Sequence, residues 1–73
     1  MTVREDAMRI LADNEPRTAR EIAKAIEPDA SDYRINVLVS QVKNAMNICI
    51  KWDNVKVVGE DPQYGATIYQ VVA

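Results

Sequence analysis

The side chains best able to do chemistry lie in residues 31–50, Ser-Asp-Tyr-Arg-Ile-Asn-Val-Leu-Val-Ser-Gln-Val-Lys-Asn-Ala-Met-Asn-Ile-Cys-Ile. On a helix advancing about 100° per residue, Ile35, Leu38, Val39, Val42, Ala45, Met46 and Cys49 share one face, which reads as core. The opposite face carries Tyr33, Val37, Ser40, Gln41, Asn44 and Asn47, flanked by Arg34 and Lys43. These are amide and hydroxyl groups that donate and accept hydrogen bonds, with two cations beside them and no carboxylate anywhere from Tyr33 to Trp52. Such a surface suits a negatively charged partner that is read by hydrogen bonding.

Other chemistries lack their parts. The chain has no histidine, which removes Ser-His-Asp and Cys-His nucleophile schemes, and the common zinc sites need more Cys and His than its single cysteine supplies. Cys49 lies on the apolar face and reads as a small buried hydrophobe rather than a reactive thiol. The expectation is therefore no catalytic residues, no metal, no cofactor and no small-molecule substrate: not an enzyme.

The formal net charge of −2 argues mildly against a polyanionic partner, but charge is polarised along the chain. Residues 1–32 carry five basic and eight acidic side chains, whereas residues 33–52 carry Arg34, Lys43 and Lys51 with no acid. With 48% hydrophobic and 27% charged residues the composition is that of a globular domain, and 73 residues suffice for one, spanning 1–73. No apolar run approaches the roughly 18 residues of a membrane span, and the N-terminus lacks the pattern of a signal peptide. A soluble cytoplasmic protein without a membrane partner is expected.

Three elements must position the polar helix. Thr2-Val3-Arg4-Glu5 reads as a capping box opening a first helix over about residues 3–13, with Val3, Ala7, Ile10, Leu11 and Asn14 on its inner stripe and Pro16 forbidding continuation. Glu5 and Arg9 are spaced for an i,i+4 ion pair. Thr18-Ala19-Arg20-Glu21 is a second capping box, opening a short helix whose alanines allow close approach while Ile22 and Ile26 supply bulk. Glu27-Pro28-Asp29-Ala30 breaks that helix, and Ser31 or Asp32 caps the next. Beyond Asn47 the pattern is ambiguous between helix and strand; Trp52 reads as a plug where the third helix meets a sheet. Val55–Val58 and Ala66–Val72 are β-branched runs on either side of a loop containing Glu60, Asp61, Gln63 and Tyr64, which predicts a hairpin. Val71-Val72-Ala73 reads as the end of its last strand.

Three helices followed by a hairpin, with Thr18 through Ile26 as the first helix of the motif and Val55 through Val72 as its closing hairpin, resemble the winged helix-turn-helix superfamily. The resemblance covers nearly the whole chain and rests on element order more than on any residue match. It implies an α+β fold with a C-terminal two- or three-stranded antiparallel sheet, in which the third helix enters the major groove of double-stranded DNA and the wing touches the adjacent backbone or minor groove. On that implication Asn36, Gln41 and Asn44 face base edges together with Ser40, Val37 meets a thymine methyl, and Tyr33, Arg34 and Lys43 hold phosphates. The helix amides behind Ser31 offer a further phosphate site. Lys56, Gln63 and Tyr64 are the wing contacts.

A small transcriptional regulator, acting as a homodimer or within a larger assembly and associated with the nucleoid, is the function so implied. The sequence departs from a DNA-gripping wing at Glu60 and Asp61, where phosphate would meet carboxylates. That departure, with a pI near 4.9, leaves open the alternative of a winged-helix protein-interaction domain with an acidic surface.

Overall fold

Three side-chain hydroxyls start the three helices of the computed structural model, which describes residues 2–72. Thr2 Oγ1 accepts from the Glu5 amide at 3.1 Å and opens α1 (Val3–Leu11). Thr18 Oγ1 accepts from the Glu21 amide at 3.2 Å and opens α2 (Ala19–Ile26). Ser31 Oγ accepts from the Arg34 amide at 3.2 Å and opens α3 (Asp32–Lys51). The box at Thr18 is complete, because the Glu21 carboxylate accepts from the Thr18 amide at 3.0 Å. At Thr2 the Glu5 carboxylate accepts instead from the threonine hydroxyl, at 3.2 Å.

Each helix stops for a local reason. α1 ends at Leu11, two residues short of the expected boundary, and Asn14 turns the chain with a left-handed φ of 66° ahead of Pro16. Arg17 then ties this end down: its guanidinium donates to the Ile10 carbonyl at 3.0 Å and to both Asp13 oxygens at 2.8 and 2.7 Å. A cation there also complements the carbonyl end of the helix. α3 settles the ambiguity after Asn47 in favour of helix. It closes when the Asn54 amide donates to the Cys49 carbonyl at 2.8 Å and the Asp53 amide to the Ile50 carbonyl at 3.0 Å, with Asp53 at φ 61° in the position where glycine is commonest.

The sheet is antiparallel and three-stranded, formed by β1 (Arg17–Thr18), β2 (Val55–Glu60) and β3 (Thr67–Val71) in the order β1-β3-β2. β1 has only two residues, too few to show periodicity, and it pairs Arg17 with Tyr69 and Thr18 with Ile68. β2 pairs with β3 from Val55↔Val71 to Glu60↔Thr67, with a bulge between Val57 and Gly59. Val71 ends β3; Ala73 lies outside the described residues. The product is a small α+β domain whose helices cover one face of a short sheet.

The core sits along α3. Ile35, Leu38, Val42, Ala45, Met46 and Cys49 are buried against Ala7 and Leu11 of α1, Ala19, Ile22 and Ala23 of α2, and Val55 and Tyr69 of the sheet. Val39, assigned to the same face, lies at its rim. No described helix is long and apolar enough to cross a membrane.

Two further expectations fail. Trp52 is 72% exposed and plugs nothing: it caps α3 one turn past Cys49, the last buried residue of the helix, and Cys49 with Val55 already closes the junction. Arg9 pairs not with Glu5 but with Asp6, at 3.2 Å, because Glu5 is drawn to the Thr2 cap.

Two measurements follow from this packing. Urea unfolding of Leu38→Ala should show a loss of about 2–5 kcal/mol, the usual cost of emptying a filled core site, whereas Trp52→Ser should stay within about 0.5 kcal/mol of the parent. Arg17 holds the Asp13 carboxyl down at about 2, from an ordinary 3.8. The contribution of this ion pair is full above the unfolded value and is lost as pH falls from about 4 toward 2. An NMR titration should place the Asp13 midpoint near 2 and return it toward 3.8 in Arg17→Gln.

Candidate functional site

Burying one side of α3 fixes what its other side presents. Tyr33 is 80% exposed; Ser40, Gln41, Asn44 and Asn47 are exposed with it, and Val37 is half-buried among them. These residues share the outer face of one helix. The neighbouring positions Arg34, Asn36 and Lys43 also reach solvent, but Arg34 and Asn36 are each bonded to another element and Lys43 lines a cleft beside one, in a way that helix periodicity could not indicate.

Arg34 grips Glu27 at the end of α2, its Nε 3.2 Å from both carboxylate oxygens and one Nη 2.8 Å from the nearer. The guanidinium draws the Glu27 carboxyl below its ordinary range, and the carboxylate raises Arg34 in turn. Arg34 is thus a cation with a carboxylate beside it. Asn36 accepts through Oδ1 from Arg20 of α2 at 2.7 Å. Lys43 lines a shallow cleft of about 160 Å³ where Ala19 and Arg20 of α2 and Thr67 and Tyr69 of β3 come together.

Arg20 and Lys24 are candidate site residues that the sequence reading passed over. They lie one helical turn apart on the outer side of α2, and with Thr18 they face Asp61, Tyr64 and Ala66 of the hairpin across a cleft of about 430 Å³. Among the described residues neither belongs to an ion pair. Their i,i+4 spacing opposite Ile22 and Ile26 was the available signal. It was masked by summing charge over residues 1–32, where Asp13 is taken up by Arg17 and Glu21 by its own cap.

The hairpin residues are not brought together. Gln63 and Tyr64 occupy the tip, with Tyr64 79% exposed. Lys56 pairs with Gln70 near the base, four residues from the end of β2 and so about 13 Å away along the strand. Asp61 is a structural part of the tip: one carboxylate oxygen accepts from the amides of Gln63 at 2.8 Å and Tyr64 at 3.1 Å. Its own amide and carbonyl close the turn onto Ala66 and onto Gly65, whose φ of 68° is left-handed. An aspartate that folds the loop serves that role whatever the loop touches.

A separate hollow of about 290 Å³ opens between the start of α1 and the end of α3, lined by Arg4, Ile48, Cys49, Trp52 and Asn54. Ile48 and Trp52, one turn apart, leave an exposed apolar edge there. Cys49 is buried beneath it, and burial raises its thiol pKa despite the opposing pull of Arg4. Among the described residues no three His, Cys, Asp or Glu side chains gather as metal ligands.

The chain matches no protein-family model, no curated protein and no solved structure.

A buried thiol held protonated reacts slowly. Native protein at pH 8 should consume a disulfide reagent such as 5,5′-dithiobis(2-nitrobenzoate) at least about a hundredfold more slowly than protein in strong denaturant, following the small open population of a folded domain.

Proposed function

We propose that this chain is a winged helix-turn-helix module that binds double-stranded DNA sequence-specifically, with α3 in the major groove and the β2–β3 hairpin as its wing. One observation carries the reading: the outer face of α3 bears Ser40, Gln41 and Asn44 without a carboxylate from Tyr33 to Lys51, Arg20 and Lys43 border it, and Lys24 lies one turn along α2 from Arg20. An α-helix with its side chains is about 10–12 Å across, which matches a major groove about 12 Å wide.

The roles divide by chemistry. Asn36, Gln41 and Asn44 pair with base edges, Val37 meets a thymine methyl, and Tyr33 with Lys43 contacts phosphate. Arg20 and Lys24 supply the positive charge that Arg34, sharing Glu27, supplies only in part. Gln63 and Tyr64 are the wing contacts at the tip, and Lys56 is a further one nearer the hairpin base. A single module of this size covers few base pairs, so the working unit is a dimer or an assembly with another DNA-binding chain, in the role of a transcriptional regulator. No reaction is assigned to it.

A second reading has an observation of its own. Ile48 and Trp52 form an exposed apolar edge beside Arg4, away from Arg20 and the hairpin tip, which favours a protein-interaction domain.

Fluorescence anisotropy with a mixed-sequence duplex separates the two. Affinity should fall steeply between 50 and 200 mM salt, and Lys43→Ala should lower the slope of log K against log salt by about one. Glu27→Gln should bind more tightly and steepen that slope, because Arg34 loses its competing carboxylate. Absence of binding at 50 mM salt sinks the DNA reading.

A further inference from the structure

Asn36 and Arg20 come from different helices, sixteen residues apart in sequence, yet the guanidinium lies 2.7 Å from the amide oxygen. Arginine has only donors. The Asn36 carboxamide can therefore accept this bond only through Oδ1, which turns Nδ2 and its two N–H groups away from Arg20. We infer that Arg20 sets the base preference of Asn36, making it a reader of guanine rather than adenine.

The inference rests on the DNA-binding reading and deepens it. An asparagine free to rotate pairs bidentately with adenine, its oxygen accepting from N6 and its nitrogen donating to N7. With Oδ1 held by a guanidinium, the group that meets the groove is a donor pair, and the remaining guanidinium N–H groups lie beside it. Guanine offers two adjacent acceptors, O6 and N7, in the major groove, whereas adenine sets its own N6 donor against the amide. Arg20 is free for this task. Among the described residues it forms no ion pair, Glu21 is committed to the Thr18 amide, and Asp61 across the cleft is committed to the hairpin tip. Arg20 is thus a positioning residue for Asn36.

Selection from a library of randomised duplexes tests this with the parent, Asn36→Ala and Arg20→Leu. The parent should enrich guanine at one position of its site, and Asn36→Ala should erase the preference there. Arg20→Leu should shift that position toward adenine by about tenfold, the size of one base contact, and leave the others unchanged. If Arg20→Leu weakens every sequence alike and keeps the guanine, Arg20 is a phosphate contact and the inference fails while DNA binding stands. If the parent enriches nothing, the DNA reading fails and this inference with it. A second measurement needs no DNA: the Asn36 side-chain amide resonances of the free protein should move in Arg20→Leu, and unchanged resonances overturn the pairing.

Discussion

Ile35, Leu38, Val42, Met46 and Cys49 run down one side of α3 at intervals of three and four residues, and every other element leans on them. α1 brings Ala7 and Leu11, α2 brings Ala19, Ile22 and Ala23, and the sheet closes the far end with Val55 and Tyr69. Burying one large aliphatic side chain contributes about 1.5–3 kcal/mol, and a chain of this size has few such residues to bury. Rotating α3 by even one residue would turn this stripe out of the core. The same constraint therefore fixes Tyr33, Ser40, Gln41 and Asn44 on the outside, which makes the polar face a rigid surface rather than a chance of side-chain exposure.

Electrostatics in so small a domain are settled pair by pair. Asp13 is taken up by Arg17, Glu27 by Arg34, Glu21 by the Thr18 amide and Asp61 by the amides of its own turn. Most of these carboxylates have structural work at helix ends and turns, where unpaired backbone amides or a neighbouring guanidinium hold them. The net charge of −2 consequently says little about the face formed by α3 and α2. There the cations without a carboxylate partner among the described residues include Arg20, Lys24 and Lys43, drawn from two helices, with Lys51 at the end of α3. In the DNA-binding reading proposed above, they form the anionic partner's landing surface.

The exposed Ile48 and Trp52 give the molecule a second character at the opposite end of α3. They lie at the C-terminal end of α3, beside Arg4 of α1. A tryptophan at a helix end is drawn into a core only if a neighbour supplies a wall, and here the chain turns at Asp53 into a strand whose first residue, Val55, fills that space.

What the sequence determined by itself was whatever depends on neighbours within one helical turn. The hydroxyl caps at Thr2 and Thr18, a cap at Ser31 or Asp32, the breaks at Pro16 and Pro28, the apolar stripe of α3 with Cys49 in it, and the β-branched runs of the hairpin follow from local hydrogen bonding and from periodicities of 3.6 and 2. Tertiary structure decided the rest. Two-residue β1 exists only because β3 lies alongside to pair with it. Trp52 is outside because Val55 is inside. Lys56 stands apart from Tyr64 because strand pairing stretches the hairpin between them. The bond from Arg20 to Asn36 and the approach of Arg20 to Lys43 arise where α2 crosses α3, and Lys24 joins them across the cleft to the hairpin. A charge sums with whatever is close in space, and a linear reading can sum it only with what is close in sequence.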